Sequence, residues 1–332
     1  MTIPTRFYNI RSASDHPDRG YINRTALIYT VADNTVKWDN EYDGASSDAV
    51  WTIETDGANN YYARNIHTGM YLNGLTMGET AADFALSFLG DDQFFIRANG
   101  NMLHAQDADN VIANWDCTSE GQQNKSNASA WYIDEVESFG YNLYIGPLEW
   151  STLILGYNAV IPENVACYAL SEVDGSRAGL TRIEGILPAN TAVLVNAVEG
   201  NDTFTYTTEA AEATSMLGGT LCKSTITPED GTAIYMLSFI DGIVGLYPCP
   251  LNVNTDENEG TYEAVLNNAN KAYLAIVSNE MFIGLDYDDT TYIENVENAN
   301  EETVIYDLVG RRVQHMNVSG VYIVNGKKVS VK

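Results

Sequence analysis

No long stretch of this chain repeats its apolar residues at the 3.6-residue helical period. Short apolar runs separated by turn residues take its place, and one such unit recurs. Trp51-Thr52-Ile53 begins 13 positions before Arg64 of Tyr61-Tyr62-Ala63-Arg64, and Phe84-Ala85-Leu86 begins 13 positions before Arg97 of Phe94-Phe95-Ile96-Arg97. The second half of the unit opens the chain as Tyr8-Asn9-Ile10-Arg11, and the first half reappears as Trp131-Tyr132-Ile133. An apolar pair follows each arginine: Tyr21-Ile22, Tyr71-Leu72 and Met102-Leu103. Three imperfect copies across residues 7–134 predict a closed, pseudo-threefold β-structure. Trp51, Phe84 and Trp131 should occupy equivalent buried positions at its axis.

From residue 138 to 285 the pattern changes to short strands with turn signals about every ten residues. Strands are predicted at Tyr141–Ile145, Ser151–Leu155, Ala166–Leu170, Ala192–Val195, Phe204–Thr207, Ala233–Ser238, Ile243–Tyr247 and Lys271–Ala275. Turns are predicted at Gly146-Pro147, Asp174-Gly175, Gly218-Gly219, Asp230-Gly231 and Asp241-Gly242. That spacing reads as a β-sandwich. Residues 286–302 carry only acidic charge and read as a linker. Residues 303–332 alternate Val304, Tyr306, Leu308, Val321, Ile323 and Val329 around an Asn325-Gly326 hairpin turn. They predict a short antiparallel β-unit that needs a partner surface, because so few residues cannot bury those side chains alone. The fold class is all-β, with domains at 1–137, 138–285 and 303–332.

Charge narrows the partners. The 332 residues hold 17 basic and 45 acidic side chains, a net of −28. Such a chain repels phosphate backbones, so nucleic acid is excluded as a partner. The charge is uneven: Arg311, Arg312, Lys327, Lys328 and Lys332 against Asp307 leave the tail at +4 and the rest at −32. Cys117, Cys167, Cys222 and Cys249 lie far apart, without the spacing of a zinc site or a disulfide scaffold. Buried free thiols are expected, with a Cys222–Cys249 bridge as the alternative. No apolar run is long enough for a transmembrane helix. The opening MTIPTRFYNI lacks the apolar core of a signal peptide.

The repeats resemble the ricin-type β-trefoil, in which each copy ends in Gln-x-Trp. Here Ala49, Ala82 and Ser129 stand where the glutamines would be, and Phe84 stands for one tryptophan. Residues 140–285 resemble a domain of secreted Bacteroidetes proteins, through Trp150-Ser151-Thr152-Leu153, Ile161-Pro162-Glu163-Asn164-Val165, Leu187-Pro188-Ala189-Asn190-Thr191 and Lys271-Ala272-Tyr273-Leu274. That resemblance implies no catalytic activity. Tyr306-Asp307-Leu308, Gly310-Arg311-Arg312-Val313 and Gly320 to Lys332 are similar to the tail of type IX secretion sorting domains. These resemblances imply an exported protein, secreted or on the cell surface, whose export signal has been removed.

Candidate chemistry is sparse. HExxH, GxSxG, Walker and GxGxxG motifs are all missing, so no catalytic residue, cofactor or metal is assigned. Asn254, Asp256, Asn258 and Glu259, and likewise Asp107, Asp109 and Asn110, form acidic loops that fail the EF-hand template. Lectin sites pair an aromatic face with an Asp or Asn that bonds sugar hydroxyls. Trp115-Asp116, with Asn114 and His104, offers that pair, and Trp38-Asp39, with Asn40, offers a second. Both indoles would serve equally well as plugs over the open end of the barrel. The expected partner is a glycan or glycoprotein, neutral or cationic given the acidic field. A protein-binding module (an adhesin or protease inhibitor) and an accessory piece of a larger secreted hydrolase are the alternatives.

Overall fold

The structure is a computed structural model that describes residues 6–14, 27–30, 35–56, 58, 60–106, 110–115, 127–256, 260–287, 305–307, 312–313, 320–324 and 327–331. It is all-β. Residues Met1–Tyr287 cluster as one compact unit and Asp288–Lys332 as another.

Twelve strands build the first part in three sets of four. The first set is β1 (Phe7–Ser12), β2 (Leu27–Thr30), β3 (Val36–Asp39) and β4 (Trp51–Thr55). The second is β5 (Tyr61–Asn65), β6 (Tyr71–Asn73), β7 (Thr76–Gly78) and β8 (Phe84–Gly90). The third is β9 (Gln93–Ala98), β10 (Asn101–Ala105), β11 (Ile112–Asn114) and β12 (Ala130–Val136). Strands β1, β4 and β5 pair in sequence, as do β8, β9, β12 and again β1, and β8 runs beside β5. The hairpins β2–β3, β6–β7 and β10–β11 cap this ring. That is the connectivity of a β-trefoil.

The register carries the threefold relation down to single residues. Trp51 faces Tyr8 and Asn65, and Trp131 faces Phe94 and Ser12. Phe84 faces Ala98. Asn65, Ser12 and Ala98 each directly follow the repeated arginine, so all three aromatic residues sit at one repeat position. All three are fully buried in a common core with Ile10, Ile28 and Leu72. The Trp51 indole N–H donates to the Ile28 carbonyl at 3.2 Å, and that of Trp131 donates to Leu103 at 3.0 Å. Arg11 and Arg64 repeat a cross-strand ion pair, with Asp134 and Glu54 respectively. The apolar pair expected at Tyr21-Ile22 lies outside the described residues; Leu27-Ile28 of β2 fill the position, because the first repeat carries an insertion there.

The remainder of the larger unit has two cores. A four-stranded sheet runs β13 (Gly140–Ile145), β20 (Gly200–Tyr206), β15 (Ala159–Val160) and β18 (Ile186–Leu187). A nine-stranded sheet runs β14 (Trp150–Leu153), β19 (Val193–Asn196), β16 (Ala166–Asp174), β17 (Arg177–Ile183), β28 (Ile283–Tyr287), β24 (Ile243–Pro248), β23 (Ala233–Ile240), β27 (Lys271–Ile276) and β21 (Leu217–Thr220). Strands β22 (Ser224–Ile226), β26 (Gly260–Asn267) and β25 (Asn252–Asp256) form a third sheet. Alternation along β19 separates the cores: Val193 and Val195 face the four-stranded sheet, while Leu194 faces a second cluster with Tyr235, Leu246 and Leu274. The nine-stranded sheet bends until β14 approaches β27, enclosing that second cluster. A simple sandwich therefore describes only one side of this sheet.

Local chemistry explains the corners. Asp241 and Gly242 both take positive φ in the two-residue β23–β24 hairpin, as a primed turn requires. Asn190 of the Leu187–Thr191 corner also has positive φ, and its N–H reaches the Leu155 carbonyl at 2.7 Å. Gly218-Gly219 makes no turn. It lies inside β21, where a Cβ would stand 2.9 Å from the Tyr273 ring or 3.0 Å from Ile154. These glycines permit close packing. Gly245 in β24 is tighter still, with a Cβ placed 2.2 Å from Phe282 and 3.0 Å from the Ile283 carbonyl. Gly245→Ala should cost about 1–3 kcal/mol in a urea titration through overpacking.

Asp286, expected in the linker, lies on β28 and pairs with Arg177 at 2.6 Å. Asn254 and Asp256, expected in a loop, lie on β25. In the smaller unit β29 (Ile305–Asp307), β30 (Arg312–Val313), β31 (Gly320–Val324) and β32 (Lys327–Val331) form an antiparallel sheet ordered β30-β29-β31-β32. Val324 pairs with Lys327, and the expected turn residues Asn325-Gly326 between them lie outside the described residues.

Candidate functional site

The third trefoil repeat presents an aromatic shelf. Strands β10 and β11 pair Leu103 with Asn114, and Trp115 follows directly, its N–H 3.4 Å from the Met102 carbonyl. The Asn114 Oδ1 accepts the Met102 N–H at 3.0 Å, which fixes the strand end beneath the indole. Trp115 is 53% exposed. Its ring leans on His104 at 4.8 Å with an interplanar angle of 42°. His104 is buried, and its Nδ1 lies 2.8 Å from Ser129 Oγ. Ser129 thus occupies the place of the missing glutamine and props the histidine that backs the tryptophan. Asp116 lies outside the described residues.

The second expected site is corrected. Trp38 is only 3% exposed, packs in the trefoil core and donates its indole N–H to the Gln106 carbonyl at 3.0 Å. It has no face for a ligand. The cause is register: Ile28 pairs with Trp38, whereas the equivalent Leu103 pairs with Asn114. Trp115 therefore corresponds to Asp39, and the two Trp-Asp pairs are displaced by one residue. A one-residue shift along a strand reverses the face. Asp39 accepts the Glu41 N–H at 2.9 Å in a local turn, and Asn40 beside it is half-buried and already engaged.

Sequence reasoning missed a second hollow. A cavity of about 220 Å³ is lined by Tyr29, Tyr42, Asp48 and His67 of the trefoil and by Leu221 and Cys222 beyond it. Tyr29 and Tyr42 stack at 3.9 Å. The Tyr42 hydroxyl donates to Asp48, and burial together with that carboxylate holds its pKa far above the ordinary tyrosine range. His67 Nδ1 is 3.1 Å from Ser47 Oγ, and its ring stacks on Tyr141 at 5.5 Å. Ser47 is itself buried. Burial lowers the His67 pKa, partly opposed by Asp48. The unfolded chain then binds a proton, at about pH 6.5, that the folded chain refuses. Stability is fully present above that pH and declines as pH falls below it. A melting-temperature profile should lose part of this acid-side slope in His67→Gln.

Among the described residues Cys167, Cys222 and Cys249 are free, and burial pushes the Cys167 thiol up to about 12. No group of three potential ligands is placed to hold a metal among the described residues. No helix there is long and apolar enough to cross a membrane.

No family model matches this chain. No curated protein matches it either. Among solved structures, a GlcNAcα1-4Gal-releasing endo-β-galactosidase from Clostridium perfringens is similar at 18% identity and a TM-score of 0.31, over 40% of this chain and 33% of that one. A Polyporus squamosus lectin bound to the epitope Neu5Acα2-6Galβ1-4GlcNAc is similar at 15% identity and a TM-score of 0.31, over 42% of this chain and 52% of the lectin. The chain thus spans about half or less of these proteins.

Proposed function

We propose that this chain is a non-catalytic carbohydrate-binding protein whose trefoil stacks a neutral pyranose on Trp115. The exposed indole face, held against a buried and hydrogen-bonded histidine, carries this reading. A rigid aromatic plane covers the apolar face of a sugar at little entropic cost, and Asp116 next to it in the sequence is the intended partner for a hydroxyl. The stack is worth about 1 kcal/mol and one charge-assisted hydrogen bond about 1.5–3 kcal/mol. Together they correspond to a millimolar or weaker site, useful where glycans or copies of the protein are dense. Residues 303–332, through their similarity to sorting-domain tails, support a location outside the cell for a Bacteroidetes-type protein.

A glycan array probed with the intact protein and with Trp115→Ala tests the reading. Retention on neutral glycans by the first and its loss in the second is the expected result. An array on which the intact protein binds nothing would remove the lectin reading and leave a protein-binding module in its place.

A further inference from the structure

Lys271 lies far from Trp115 in the sequence and in a different sheet, and its surroundings are unusual for an ammonium group. It is half-buried on β27, where Nζ donates to Ser151 Oγ at 2.8 Å and lies 3.4 Å from the Thr152 carbonyl. Both partners are neutral. No carboxylate among the described residues pairs with it, although the chain carries 45 acids. An ammonium withdrawn from water without a counter-charge is costly, and burial lowers the Lys271 pKa accordingly.

The same lysine lines a groove of about 270 Å³. One wall is Trp150, whose ring is backed by Tyr168 at 5.9 Å and an angle of 30°. Leu237 and Leu266 add apolar surface, Ser151 adds a hydroxyl and Asn268 an amide, while the buried Asn267 amide is spent on Thr220 Oγ1 and the Lys271 carbonyl. A cleft with an aromatic wall, a few converging polar groups and one unpaired charge is the usual make-up of a small-ligand site.

We propose that this groove binds a single sugar acid, with the carboxylate on Lys271 and the ring against Trp150. The carboxylate supplies the counter-charge that the fold omits, and the Ser151 hydroxyl and Asn268 amide suit a polyol. The net charge of −28 confines the ligand to one negative charge, since a polyuronate would be repelled along its length. The site is independent of Trp115, so either proposal can fail alone.

Calorimetric titration of the whole chain with glucuronate, glucose and acetate decides the matter. Glucuronate should bind wild type and Trp115→Ala alike, at least tenfold more tightly than glucose or acetate. Lys271→Gln should lose at least tenfold, about 1.4 kcal/mol. Because Lys271 also ties β27 to β14, Leu266→Glu provides a second variant. It alters a residue that is 53% exposed, leaves the links of Lys271 in place and adds a competing carboxylate to the groove. It should lose glucuronate to the same degree while melting as the wild type does. Glucuronate binding no tighter than glucose, or unchanged in both variants, would overturn the site. Acetate binding as tightly as glucuronate would overturn its assignment to a sugar acid.

Discussion

Replacing Trp131 by alanine should lower the stability of the trefoil by about 3–5 kcal/mol, the range for truncating a large buried aromatic residue. Trp131 is fully buried where the three repeats meet, and its indole satisfies the Leu103 carbonyl. The loss is a large fraction of the 5–15 kcal/mol typical of a folded domain. Urea denaturation should show the midpoint falling with little change in slope. Trp131→Phe should cost less, because Phe84 already fills the equivalent position in the second repeat. Its remaining cost is that of an unpaired carbonyl at Leu103, about 1–3 kcal/mol. A Trp131→Ala protein as stable as the wild type would contradict the shared threefold core.

The second large effect separates two tryptophans that look alike in the sequence. Trp38→Ala should also cost about 3–5 kcal/mol, since it empties a core position and removes the hydrogen bond to the Gln106 carbonyl. Once the protein is folded, its glycan retention should match the wild type. Trp115→Ala should do the reverse: a change within about 0.5 kcal/mol in stability, as for surface positions, and loss of retention on an immobilised glycan. Denaturation and retention measured on the same two preparations would show this crossing. If both variants lost stability and kept binding, Trp115 would be a structural plug like Trp38.

The sequence carried the repeat well because its signal is local and ungapped. The aromatic residues at 51, 84 and 131 hold fixed distances from their arginines, and the strand register reproduces that relation residue for residue. Register within the capping hairpins was not legible. Whether Trp38 points in or out depends on its pairing with Ile28, and the first repeat hides that pairing behind an insertion. Gly218-Gly219 read as a turn because glycine pairs usually are; only the Tyr273 and Ile154 side chains, distant in sequence, reveal a strand packed too closely for a Cβ. The curling of the nine-stranded sheet, and the junction where Tyr42 and His67 meet Leu221, likewise rest on contacts between remote segments.

The central claim is that a sugar stacks on one particular indole, and the five tryptophans report on it separately. A two-dimensional NMR spectrum of the indole N–H groups, recorded during titration with a neutral glycan that the array selects, is the most direct measurement. The Trp115 resonance, assigned by its disappearance in Trp115→Ala, should shift progressively toward saturation, while those of Trp38, Trp51, Trp131 and Trp150 stay in place. A spectrum in which Trp115 does not move while the glycan binds would contradict the account.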